Sequence, residues 1–135
     1  MQTHGVIFDI GGVLEYTPDM HMDAKWEDRL GIPKGSLHDR LATIWTEGSY
    51  GRITEAEVLT GIADLLDIDS TTTEALMADM WVEYLGTPNQ ELLAYFRGLR
   101  GRCPTAILSN SFVGAREREH DHLGLEGLCD IIVYS

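Results

Sequence analysis

Three short apolar runs constrain this chain more than anything else in it. Gly5-Val6-Ile7-Phe8-Asp9-Ile10, Thr105-Ala106-Ile107-Leu108 and Asp130-Ile131-Ile132-Val133-Tyr134 read as strands. Continuous apolarity of this kind suits the buried strands of a parallel sheet, covered on both faces. Gly11 and Gly12 break the first run and predict a turn at its carboxyl end.

Residues 16–87 read as almost entirely helical. Segments near 20–30 and 36–47 predict two helices, parted by Gly31-Ile32-Pro33-Lys34-Gly35. Thr54 and Glu57 form a capping-box pair, and Val58, Leu59, Ile62, Leu65 and Leu66 follow at helical spacing. Thr71 and Glu74 offer a second box, before a helix with Leu76, Met77, Met80, Trp81, Tyr84 and Leu85 on one side. These stripes read as helix-packing surface, with Trp26, Trp45 and Trp81 in that core. Pro88 is expected at the first position of another helix, with Leu92, Leu93, Phe96 and Leu99 inward and Gly101 as its stop. A short polar helix is expected around 114–122. The order strand, helical block, helix, strand, helix, strand implies right-handed crossovers and a parallel sheet.

Composition excludes several function classes. The chain has 135 residues, 44% hydrophobic and 24% charged, as in an ordinary soluble globular protein. Asp and Glu number 22 against 10 Lys and Arg, a net charge of -12. No nucleic-acid partner is expected, and no membrane partner, because both anionic surfaces need positive charge opposite them. No stretch approaches the roughly 18 apolar residues of a membrane span. The N-terminus lacks the basic and apolar regions of a signal peptide, and Cys103 and Cys129 lie far apart, as for reduced thiols. A cytoplasmic location follows as the expectation.

Ligands of an open parallel sheet bind beyond the carboxyl ends of its strands. Two polar groups fall there, Asp9 with its Gly11-Gly12 turn and Ser109-Asn110. Asp9 interrupts an apolar strand, so its carboxylate must be hydrogen-bonded, near a cation, or exposed at the strand's end. The glycines free backbone amides to point at an anion. A carboxylate, backbone donors and a hydroxyl at one sheet edge can support attack on a phosphoryl or carbon centre. Other candidates fail: Asp67-Ile68-Asp69 lacks the Gly and Glu of a calcium loop, and His120-Asp121-His122 would point apart on a helix.

Val6-Ile7-Phe8-Asp9-Ile10-Gly11-Gly12-Val13-Leu14 resembles the first motif of the haloacid dehalogenase-like hydrolases, and Ile107-Leu108-Ser109-Asn110 is similar to their second. Gly51-Arg52-Ile53-Thr54 with Glu55 and Glu57 looks like the family's all-helical cap, and Pro88-Asn89-Gln90-Glu91-Leu92-Leu93 like the return to the core. The resemblance implies a Rossmann-like α/β core from residues 1–15 and 88–135, incomplete at its C-terminus, with a helical cap over 16–87. It implies that Asp9 is the nucleophile and forms a covalent aspartyl intermediate. Asp9 and the backbone carbonyl of Gly11 would bind magnesium, a cation that prefers oxygen ligands. Substrate contacts would fall to Ile10, Gly11, Gly12, Ser109 and Asn110, with Ser109 bonding the transferred group and Asn110 orienting the site. The substrate would be a small phosphorylated metabolite.

Two departures from the family pattern bear on activity. Gly11 stands where phosphatase members carry a second Asp as general acid and base, a role worth about 10²–10⁴-fold. Halide-releasing members also lack that Asp, so 2-haloacid dehalogenation is the alternative chemistry. Glu15 is a secondary candidate for a substitute acid. The family's third motif, a Lys, and its fourth, an acidic pair, would follow the third strand, so this chain is expected to be a weak catalyst or inactive. A non-catalytic fragment or degenerate homologue acting by self-association is the third reading. An unpaired edge at residues 5–10 then predicts a homodimer or domain-swapped oligomer.

Overall fold

A computed structural model describes residues 4–135; the first three residues of the expected core lie outside that range. The three apolar runs form one parallel sheet, from β1 (Val6–Phe8), β4 (Thr105–Ser109) and β5 (Ile131–Tyr134) in the order β1-β4-β5. Ile7 pairs with Ala106 and Ala106 with Ile131, while Phe8 pairs with Ile107 and Ile107 with Ile132. Helix α5 (Gln90–Leu99) precedes β4, and α6 (Ala115–Leu123) joins β4 to β5. The protein is mixed α/β, as the periodicity required.

The sheet has one buried face. Phe8, Ile107 and Ile132 share a core with Leu93 and Phe96 of α5 and with Leu123, Leu125 and Leu128 of α6 and the loop after it. Phe8 stacks on Phe96 with ring centroids 4.4 Å apart. The alternate residues Ile7, Leu108, Ile131 and Val133 are each at least 45% exposed. This corrects the expectation of strands covered on both faces. The strand order advances in one direction, so right-handed crossovers bring both helices to the same side. Among the described residues, the opposite face has no cover.

The chain divides into two compact units, one taking the chain up to Pro18 together with Leu85–Ser135, the other Asp19–Tyr84. The second unit is helical throughout: α1 (Met22–Leu30), α2 (Ser36–Ser49), α3 (Glu55–Leu66) and α4 (Ser70–Leu85). Its core holds Trp26, Leu37, Leu41, Val58, Ile62, Leu76, Met77 and Trp81, whereas Leu65 stays about half exposed. The Thr54–Glu57 capping box is made in both directions. No second box forms at Thr71, because Asp69 starts α4 two residues earlier by accepting the Thr72 amide at 2.7 Å. Acids from distant positions cap two further helices. Glu83 Oε1 accepts the His21 and Met22 amides at the head of α1, and buried Glu27 accepts the Leu37 amide at the head of α2. Those amide bonds hold the Glu27 carboxyl below the usual range.

Pro88 does not open α5. It pairs with Glu15 in a two-stranded antiparallel ribbon, β2 (Glu15–Tyr16) with β3 (Thr87–Pro88). Asn89 is the cap instead, accepting the Leu92 amide, while its own amide donates to Leu14 O at 2.9 Å. Proline is tolerated on such an edge, where its missing N–H costs the ladder nothing.

Candidate active site

Asp9 follows the last residue of β1 in an extended conformation and is exposed. Its Oδ1 accepts the Ile10 amide at 2.7 Å, capping the turn that follows. In that turn, Ile10–Leu14, Gly11 has φ −59, ψ 122 and Gly12 has φ 68, ψ 7. These are the values of a type II turn, whose third residue needs the left-handed region that glycine enters without penalty. Ile10 and Leu14 anchor the turn from below as buried core residues.

Parallel pairing of Phe8 with Ile107 puts the carboxyl ends of β1 and β4 at the same sheet edge. Asp9 and Ser109-Asn110 therefore meet the edge together, as ligand groups of an open sheet must. Ser109 is buried, and its hydroxyl donates to the Asn110 carbonyl at 3.3 Å. Asn110 is exposed, and its Oδ1 accepts the Ser135 hydroxyl.

One of the two glycine amides is not free for an anion as the sequence suggests. The Gly12 amide, expected to point outward, donates to Glu15 Oε1 at 2.7 Å. Glu15 is buried and also accepts the Thr17 hydroxyl at 2.6 Å. Glu15 thus holds the glycine turn in shape, a different task from that of a substitute acid. Its second oxygen, Oε2, is buried without a partner among the described residues.

One acid escapes sequence reading altogether. Glu119 is 4% exposed, on a helix otherwise rich in surface charge. Its Oε2 is likewise buried without a partner. Burial, and then the like charges of Glu15 and Asp9, push its carboxyl up to about 7. A usable signal existed. Ala115, Glu119 and Leu123 recur every four residues, which puts Glu119 on the inward stripe of α6.

The Asp9 carboxylate, with that of Glu15 bonded to the same turn, makes an anionic substrate unwelcome without a cation. Asp9 and the Gly11 carbonyl are the oxygens that the resemblance assigns to magnesium. Among the described residues, no group of three or more His, Cys, Asp or Glu is arranged to hold a metal ion. Magnesium typically uses one or two carboxylates plus substrate phosphates, so this set fits an ion held weakly and together with its substrate.

The remaining candidates have structural roles. His122 Nε2 lies 2.9 Å from the Gly86 carbonyl and so serves as a donor there. Asp67 ends α3 in the left-handed conformation and Asp69 caps α4. Beside α6, a hollow of about 380 Å³ is lined by Arg116, Glu117, His120, Asp121, Ile132 and Tyr134. Arg116 already stacks on the Tyr134 ring, 4.8 Å from its centroid. No helix among the described residues is long and apolar enough to cross a membrane. No protein-family model matches the chain, and no curated protein is significantly similar to it.

Proposed function

We propose that this chain carries the nucleophile side of a haloacid dehalogenase-like hydrolase site, a magnesium-dependent phosphatase of small phosphorylated metabolites. The observation that supports this reading is the exposed Asp9 carboxylate at the carboxyl end of β1, beside the end of β4 that carries Ser109 and Asn110. An Asp9 oxygen attacks phosphorus, the bond from phosphorus to the leaving alkoxide breaks, and an aspartyl phosphate forms. Water then attacks the phosphorus of that intermediate and restores the Asp9 carboxylate, releasing phosphate. Ser109 and Asn110 hold the transferred group once their hydrogen bonds to neighbouring backbone and to Ser135 are exchanged for bonds to it. Asp9 and the Gly11 carbonyl would hold magnesium, which would supply charge neutralisation to this site.

The leaving alkoxide needs a proton, and Gly11 cannot give one. Turnover is therefore slow in this chain. The test is hydrolysis of an alkyl phosphate, glycerol 3-phosphate, with magnesium, read as released phosphate, with slow turnover that Asp9→Asn abolishes. Magnesium-dependent turnover that survives Asp9→Asn would remove the reading.

Two observations favour other readings. The absence of an acid at position 11 suits release of halide, which leaves without a proton, and so 2-haloacid dehalogenation; chloride release from 2-chloropropionate measures it directly. The exposed apolar sheet face and the β1 edge suit a non-catalytic role by self-association.

A further inference from the structure

Strand β5 ends the sheet on the side away from β1, and among the described residues no strand lies along its outer edge. Its pairing with β4 determines which backbone groups that edge presents. Ile132 lies opposite Ile107 and Tyr134 opposite Ser109, and the Ser135 amide donates to the Ser109 carbonyl at 3.0 Å. In a parallel ladder that bond sets the alternation. Ile131 and Val133 turn their N–H and C=O groups toward β4, while Ile132 and Tyr134 turn theirs to the open side.

The same two residues send their side chains to the face that carries α6. There, with Arg116, Glu117, His120 and Asp121, they line the hollow of about 380 Å³. On the other face Ile131 and Val133 are exposed. Three open features therefore meet at one strand: unpaired backbone, a hollow on one face and apolar side chains on the other. An added strand satisfies all three together, because its own side chains alternate between the two faces.

The chemistry of the two faces specifies that strand. Beside Ile131 and Val133 it places apolar, β-branched residues. In the hollow it meets Glu117 and Asp121, exposed and four apart on α6, neither of which has an ion pair among the described residues. Arg116, the cation of the hollow, is already drawn over the Tyr134 ring. A lysine or arginine fits there, its stem against Ile132 and its head at the two acids. A second copy fits poorly. Its own edge, Ile131–Tyr134, carries no cation, and it brings another net charge of -12.

We propose that the outer edge of β5 is a docking edge for an extended segment of a partner protein in which basic and apolar residues alternate. The segment adds to the sheet as a further strand, held by the backbone groups of Ile132 and Tyr134 and selected by Glu117 and Asp121. This inference does not depend on whether Asp9 attacks a substrate.

The experiment uses the full chain, ¹⁵N-labelled, and an end-capped peptide of alternating lysine and valine. Binding should saturate and should slow hydrogen exchange at the Ile132 and Tyr134 amides. A peptide of the same composition, with its lysines and valines in two blocks, should not protect them. Glu117→Gln combined with Asp121→Asn alters only exposed side chains and should weaken the alternating peptide by about fivefold, as two exposed ion pairs would. Alternate amides of a strand point to one edge, so N-methylation of the valine amides alone and of the lysine amides alone should differ, one abolishing binding and the other sparing it. Absence of binding, binding that leaves the Ile132 and Tyr134 amides unprotected, or equal protection by the block peptide overturns the proposal. So does unchanged affinity in the double variant, or equal binding of the two N-methylated peptides. Protection of those amides by raised protein concentration alone, without peptide, would hand the edge to a second copy and overturn it as well.

Discussion

Gly11 and Gly12 are neighbours with opposite reasons for being glycine. Gly12 sits at φ 68, where any side chain is strained. Gly12→Ala should cost about 1–2 kcal/mol of stability, the penalty of the left-handed region, even though the space is open. Gly11 has φ −59, and nothing lies within 4 Å of where its Cβ would be. Its backbone does not need glycine. Gly11→Ala should be neutral or stabilise by about 0.5 kcal/mol through the unfolded chain. The same openness admits Gly11→Asp, which restores an acid next to Asp9. Phosphatase turnover of Gly11→Asp should exceed that of the parent chain by about 10²-fold, the lower end of general acid-base catalysis. Urea melts check the first pair of variants and phosphate release from glycerol 3-phosphate the last. The identity and spacing of these residues were legible in the sequence. The bond from Gly12 to Glu15, which withdraws an expected anion donor, was not, because it depends on how the turn folds back.

At the scale of elements, the signals that worked were local ones. Thr54 and Glu57 predict their helix start because both partners of the box lie within one turn. Thr54→Ala should destabilise the helical unit by about 1 kcal/mol, measurable by thermal melting. Signals failed where a long-range partner took over. Glu83 is 61 residues from the Met22 amide that it caps, and Pro88 leaves its helix for a strand paired with Glu15. Residues 114–122 read as a short polar helix, since seven charged or polar residues in a row, 116–122, conceal one buried stripe. That concealment hid Glu119.

On the scale of the whole molecule, the exposed sheet face is the main open feature. Ile7, Ala106 and Ile131 form one row across the three strands, and Leu108 with Val133 forms the next. Contiguous apolar surface of this kind marks an association site. The chain should associate reversibly at high concentration despite its charge of -12, and more strongly in high salt, which screens that charge. Sedimentation velocity of Val133→Lys, with an unchanged circular dichroism spectrum, should show the monomer alone. Equal association in Val133→Lys would place the contact elsewhere. The sequence by itself determined the strand runs, their parallel pairing, the helical block and the sheet edge that Asp9 and Ser109 share, because periodicity, glycine turns and capping pairs act over a few residues. Only the tertiary structure decided which sheet face is covered, which acids cap which helices, and that Glu15 and Glu119 are buried. Those outcomes depend on where distant segments come to rest, and a carboxylate reads the same in a sequence whether water or another carboxylate lies next to it.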